Sequence, residues 1–193
     1  PRTKILIERY TNAKIITCSR YTEIFNRKSQ NFRLQKKNPA LILARKYENM
    51  ILKVPNNYGI GAKYNYYFSH MLNCIYDCKY CFLQGMYNSA NIVLFVNFDD
   101  FADKIRSISL KTSKSLCFFS GYDCDSLALE NITNFSDYFF KIFKDLNHSY
   151  LELRTKSINI SSLSKKKPIP NIIIAFSLSP DEIINSFEDK TPS

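Results

Sequence analysis

HMLNCIYDCKYCFLQ, residues 70–84, decides how the rest of the chain is read. Cys74, Cys78 and Cys81 stand in a C-x3-C-x2-C spacing, with Tyr80 just before the last of them. Thiolates hold iron–sulfur clusters, and three on one tight loop suit three irons of a cubane. The run lacks a fourth cysteine, which leaves one iron open to another ligand. A zinc site and a disulfide are the alternatives. Structural zinc sites pair their ligands as two C-x2-4-C knuckles or add histidines. Here His70 is the one histidine near the loop, and there is no second knuckle.

Outward from the loop, strand and helix patterns alternate. Tyr64–Phe68, entered from the glycine-bearing stretch Asn56–Gly61, reads as an aromatic strand that ends where the cysteines begin. Ile92–Asn97 reads as a buried strand. Phe98–Ser109 follows as a helix, because Phe98, Phe101, Ala102, Ile105 and Ile108 recur at helical spacing. Asp99 and Asp100 fall in its first turn, where negative charge favours the dipole. Ser115–Ser120, Tyr150–Arg154 and Asn171–Leu178 read as further strands, with helices over Phe135–Leu146, Ile158–Leu163 and Pro180–Phe187. Such alternation predicts an α/β fold of parallel strands with helices packed outside. Ligands in such folds sit at the carboxyl ends of the strands. Those ends carry the cysteine loop, Gly121–Asp125, Lys156 and Ser177–Ser179, which are therefore expected on one face.

Upstream, Lys4–Ile7 and Ala13–Cys18 read as β-prone runs around a Thr11-Asn12 turn. Ile24 starts a short helix, an apolar run follows Pro39, and Met50–Val54 reads as a strand. The chain closes on Thr191-Pro192-Ser193 soon after a helix start, so a sheet cut short at the C-terminus is expected.

The 193 residues are 45% hydrophobic, enough for one good-sized core. No apolar run approaches the roughly 18–20 residues that span a bilayer, and no secretory leader pattern opens the chain. Six cysteines without an export signal imply a reducing compartment, and the expectation is a cytoplasmic protein without a membrane partner. Residues 1–63 carry a net charge of +11, whereas residues 64–193 carry −1. We therefore expect two parts: a basic N-terminal segment, 1–63, packing on a core formed by 64–193. A basic block beside a near-neutral body points to a polyanion, most often nucleic acid. Within it Arg27, Lys28, Arg33, Lys36 and Lys37 are interleaved with aromatics, a composition suited to phosphate contacts and base stacking. A lysine-rich solvated face is the competing reading of the same residues.

A strand, a C-x3-C-x2-C loop with an aromatic before its last cysteine, and then β/α units resemble the radical S-adenosylmethionine (SAM) superfamily. Within it, IFNRKSQNFRLQKKNPALILARK, YGIGAKYNYYFSHMLNCIYDCKYCFLQGMY, SGYDCDSLALENIT, LRTKS and IIIAFSLSP resemble, in this order, the spore photoproduct lyase-like family of DNA repair lyases. The resemblance implies a partial (β/α) TIM-type barrel with a basic N-terminal extension. It implies a [4Fe-4S] cluster on Cys74, Cys78 and Cys81, and SAM held by Tyr80, Gly121, Lys156 and Ser177. It also implies one-electron cleavage of SAM to a 5′-deoxyadenosyl radical, with electrons from a flavodoxin- or ferredoxin-type donor, and a thymine-dimer substrate in DNA. The chain departs from the family at the reaction itself. Aligned on DSLALENIT, Tyr122 stands where the lyase has a hydrogen-donating cysteine, with Cys124 two residues on; counted from the cluster loop, Cys124 itself falls near that place; and Phe82 replaces a tyrosine. Cys124 and Tyr122 are therefore the candidate catalytic residues. Two other readings stand beside this one: a metal-containing nucleic-acid-binding protein without turnover, and a radical SAM enzyme acting on something other than nucleic acid.

Overall fold

The computed structural model describes residues 2–55 and 57–192; Asn56, the first residue of the expected Asn56–Gly61 loop, and Ser193, the last of the closing tripeptide, lie outside them. The first element corrects the sequence reading. Lys4–Ile7 lies in a helix, α1 (Arg2–Arg9), and Ala13–Cys18 forms no strand. Tertiary contacts override the β-prone run. Leu6 is buried, the Arg2 guanidinium lies 4.0 Å over the Phe98 ring, and it donates to the Thr133 carbonyl at 2.7 Å. Two short helices follow, α2 (Thr22–Phe25) and α3 (Phe32–Lys37), the second capped by Asn31, whose side chain accepts from Leu34 N–H at 2.9 Å.

Strands β1 (Leu41–Ala44), β2 (Leu52–Lys53) and β3 (Tyr64–Tyr67) lead to β4 (Met71–Leu72) and to β5 (Asp77–Cys78) within the cysteine loop. After the one-turn helix α4 (Leu83–Met86) come β6 (Ile92–Phe95), α5 (Phe98–Ser109) and β7 (Leu116–Phe119). The remainder is α6 (Glu130–Thr133), α7 (Phe135–Lys144), β8 (Ser149–Thr155), α8 (Ser161–Ser164), β9 (Ile172–Phe176), α9 (Asp181–Phe187) and β10 (Glu188–Asp189).

The fold is mixed α/β. A five-stranded sheet runs in the order β2-β3-β7-β8-β9, in which β3, β7, β8 and β9 are mutually parallel and β2 is antiparallel at the edge. A three-stranded sheet, β1-β6-β4, pairs β1 parallel to β6 and β4 antiparallel to it. Residues 1–63 thus contribute strands to both sheets through β1 and β2. The sequence pattern missed β10, which pairs antiparallel with β5 and ties the end of the chain to the cysteine loop.

The core lies between the sheets and the helices α5 and α7. Phe98, Phe101 and Ile105 on α5 and Phe135, Phe139 and Phe143 on α7 are all buried, at the helical spacing that the sequence predicts. Phe68, at the end of β3, packs on Phe101, Phe135 and Phe139 with ring centroids 5.2–6.0 Å apart. Each buried phenylalanine contributes about 1.5–3 kcal/mol. This block fixes the strand ends on which the site is built.

Candidate metal and cofactor site

Asn73 turns the chain out of β4 into the cysteine loop. It adopts φ 68°, a left-handed conformation that asparagine tolerates, and its buried amide donates to Ser89 O at 2.6 Å and Asn91 O at 2.8 Å. Cys74, Cys78 and Cys81 are all free thiols lining one open cavity of about 170 Å3. Cys78 is set by the β5–β10 pairing, with Glu188 as its register partner, and Cys81 by a turn in which its N–H donates to Cys78 O at 3.0 Å. Burial pushes the Cys74 thiol up to about 12, helped by the nearby Asp125 carboxylate, while N–H groups of Tyr76 and Asp125 work in the opposite direction. Burial raises Cys78 as well. Metal ligation of such thiols must release protons.

The same cavity receives the ends of three parallel strands. Beyond β7, Gly121 lies so close to β8 that an added Cβ would stand 2.9 Å from Ser126 Oγ and 3.0 Å from Arg154 O. Only glycine gives this close approach without a shift. The loop after it is stitched to β8: Ser126 N–H donates to Arg154 O at 3.0 Å, and Ser126 Oγ accepts from Arg154 N–H at 3.1 Å. Asp125, a residue without a role in the sequence reading, accepts from Leu127 N–H, Thr155 Oγ1 and Lys156 N–H at 2.9, 2.7 and 2.6 Å. It thereby fixes the turn that presents Lys156.

Beyond β8, the Lys156 ammonium donates to Ser177 O at 3.0 Å, Ser179 Oγ at 3.1 Å and Glu188 Oε1 at 3.0 Å. Glu188 also accepts from Ser179 Oγ at 2.6 Å and from the Tyr80 hydroxyl. Burial works to raise its pKa, but hydrogen bonds from Ser179, Tyr80 and Lys156 outweigh it and hold the carboxyl down at about 2. For Lys156, burial works against the charge, and the bond to Glu188 more than offsets it, so its pKa stands above the usual value. Nothing in the sequence marked Glu188; only the β5–β10 pairing brings it here.

Tyr122 and Cys124 lie on the same wall. The Tyr122 ring packs against Tyr67 at 4.5 Å and Phe82 at 5.9 Å between centroids. Cys124 is buried, with Sγ 3.7 Å from Ser120 O and 4.0 Å from His70 Nδ1, and burial raises its thiol well above the ordinary value. His70 is fully enclosed, stacks on Phe135 at 3.9 Å, and is driven down to about 3 by that burial, with Arg2 adding to the effect.

The residues expected to touch phosphate divide. Arg27, Lys28 and Lys37 are exposed. Arg33 is exposed but pairs with Asp77 on the cysteine loop at 3.2 Å. Lys36 is a correction: it is buried, and its ammonium donates to Cys74 O at 2.6 Å instead of facing outward. The helical period explains it, because Lys36 follows Phe32 by four residues and shares its cavity-facing side.

Among the described residues, no three His, Cys, Asp or Glu side chains converge as ligands of a single ion. The three free cysteines around one cavity could each take a different iron of a cluster.

Fold and site together define a mixed α/β protein with a three-cysteine loop at the carboxyl ends of a parallel sheet. A family model described as spore photoproduct lyase matches residues 58–193. The chain belongs to the spore photoproduct lyase family. No curated protein matches it in sequence. A solved variant of spore photoproduct lyase with bound S-adenosylmethionine and dinucleoside spore photoproduct superposes with a TM-score of 0.86 at 18% identity, covering 100% of this chain and 57% of that one. The lyase complexed with dinucleoside spore photoproduct gives 0.82 at 19% identity, again over 100% and 57%. This chain therefore spans little more than half the length of those structures. Among the described residues no helix is long and apolar enough to cross a membrane.

Proposed function

We propose that this chain carries the cofactor half of a radical SAM enzyme of the spore photoproduct lyase type, acting on a lesion in DNA. The observation that carries the reading is the convergence of three free cysteines with Gly121, Lys156 and Ser177 on one cavity. Family membership and the likeness to lyase structures support it. On this reading the parallel strands are part of a (β/α) barrel of the radical SAM kind whose core is carried mainly by 64–193, and 1–63 is a basic extension that adds the edge strands β1 and β2 to its sheets.

Cys74, Cys78 and Cys81 would hold a [4Fe-4S] cluster. The cluster and SAM, when bound, supply one-electron cleavage to a 5′-deoxyadenosyl radical. The chain's own residues bind and orient. Lys156 offers a point charge for the SAM carboxylate, Ser177 a polar contact beside it, Gly121 a close backbone approach, and the exposed Tyr80 ring a surface for the adenosyl part. Tyr122 and Phe82, both exposed and lining the cavity, would be available to stack on a base. Cys124 carries its thiol proton at neutral pH, because burial disfavours the thiolate, so it is a candidate to return a hydrogen atom. Arg27, Lys28 and Lys37 would meet DNA phosphates. A flavodoxin- or ferredoxin-type protein in the cytoplasm would supply the electron.

The test is anaerobic reconstitution with iron and sulfide, followed by SAM and dithionite. Formation of 5′-deoxyadenosine that is lost in Cys78→Ala is expected; no SAM cleavage by a cluster-loaded protein would refute the enzyme reading. Dinucleotide spore photoproduct left intact while SAM is cleaved would refute DNA repair alone.

A further inference from the structure

We infer that Lys36 is a positioning residue of the cysteine loop, and that its buried positive charge offsets the negative charge of an iron–sulfur cluster held there and raises the cluster's reduction potential. The inference rests on the cluster reading proposed above.

Lys36 lies ahead of the stretch that the family model matches, yet it reaches the centre of the site. It is only 6% exposed, and its ammonium is 2.6 Å from the carbonyl of Cys74. Among the described residues no carboxylate stands within ion-pair distance of it. Asp77, on the same loop, is engaged by Arg33 at 3.2 Å. A buried ammonium satisfied by one carbonyl, with no carboxylate paired to it, is unfavourable. Folding nonetheless holds it in place. Its own carbonyl accepts from the Lys190 ammonium at 2.5 Å, and the neighbouring Gln35 side chain accepts from Ala90 N–H at 2.9 Å and Ser89 Oγ at 3.1 Å. Helix α3 is therefore clamped to both flanks of the site, and the cation is aimed rather than loosely tethered.

The missing counter-charge is what a cluster provides. Each of the three cysteines loses a proton on ligation. Three thiolates around a cubane leave the assembly negative, and one-electron reduction adds another negative charge. A fixed cation beside Cys74 stabilises the reduced form more than the oxidised one, since net charge and nearby hydrogen bonds set cluster potentials. A loop–carbonyl contact alone would need no charge there; a neutral donor would serve.

The experiment uses the full chain, reconstituted anaerobically with iron and sulfide, and reads the midpoint potential of the cluster by EPR-monitored titration without substrate. Lys36→Gln keeps a donor for the Cys74 carbonyl and removes the charge; Lys36→Arg restores charge. Lys36→Gln is expected to shift the reduced-to-oxidised ratio at fixed potential at least tenfold toward the oxidised form, about 59 mV more negative for a one-electron couple. Lys36→Arg is expected to lie near the parent protein. A Lys36→Gln midpoint equal to the parent's overturns the inference. If Lys36→Gln does not retain a cluster, iron per chain in Lys36→Gln, Lys36→Met and Lys36→Arg decides: retention in Lys36→Arg alone supports the role of charge, and equal loss in all three overturns it. If the parent protein itself takes up no cluster, the proposed function falls and this inference with it. A parent that loads normally beside an unshifted Lys36→Gln sinks only the role of Lys36.

Discussion

Glu188→Gln is the sharpest test of how the site is held together. The Glu188 side chain is 2% exposed and its Oε1 accepts from Lys156, Ser179 and Tyr80, so one oxygen orders three side chains from three parts of the chain. Removing its charge leaves the Lys156 ammonium, 16% exposed, without a counter-ion. Two routes give the size. Breaking one partner of a buried pair costs about 3–5 kcal/mol. Independently, lowering the carboxyl from 4.5 to about 2 corresponds to about 3 kcal/mol at neutral pH, taking about 1.36 kcal/mol per unit. Solvent reaching Lys156 reduces both, and about 2 kcal/mol is expected. With a urea slope of about 1–3 kcal/mol/M, the unfolding midpoint at pH 7 should fall by about 1 M. The pH dependence carries a sign. Between 4.5 and about 2 the unfolded chain takes up the proton while the folded chain still excludes it, so this stability is present above 4.5 and is lost as pH falls through that window. The parent protein should lose it there, and Glu188→Gln should lack that component. A variant within about 0.5 kcal/mol of the parent at pH 7, with an unchanged slope between pH 4.5 and 2, would refute the reasoning.

Other outcomes follow from the same geometry. Gly121→Ala should destabilise by about 1–3 kcal/mol, because the new Cβ meets the Arg154 carbonyl at 3.0 Å; an unchanged melting temperature would show that the β7–β8 contact gives way freely. His70 is buried with its pKa driven down to about 3 from 6.5, so the unfolded chain protonates first and stability falls as pH drops from 6.5 toward 3. His70→Phe should flatten that decline in acid denaturation, and an identical profile would count against the burial argument. Neutralising Arg27, Lys28 and Lys37 together should lower the slope of log K against log salt for DNA binding by about 2–3, since each phosphate contact contributes about 0.9; a flat response would remove these residues from any DNA interface. Replacing Cys74, Cys78 or Cys81 singly with alanine should reduce iron uptake on reconstitution, while Cys18→Ala, on an exposed cysteine outside the loop, should leave it unchanged.

Most of the element order is legible in the sequence because it is periodic. Helices α5 and α7 carry apolar residues at helical spacing, and strands β6, β7 and β9 are short, nearly continuous apolar runs, both of which a linear reading can find. The cysteine spacing, the glycine after β7 and the lysine after β8 are likewise marks that a linear reading can find. Three features required the third dimension. Helix α1 reads as β-prone, yet Arg2 and Leu6 dock on α5, α6 and the core, and those contacts outweigh local preference. Lys36 reads as one of five surface cations, and only the helical turn from Phe32 brings it to Cys74. Glu188 sits more than a hundred residues beyond Tyr80, and no spacing ties the two; the pairing of β10 with β5 does. The sequence by itself determined which atoms could serve as ligands, since that is a property of side-chain type and short-range spacing. The tertiary structure decided which charges are buried together, because electrostatic partnership depends on distance and desolvation, and neither is written in the order of residues.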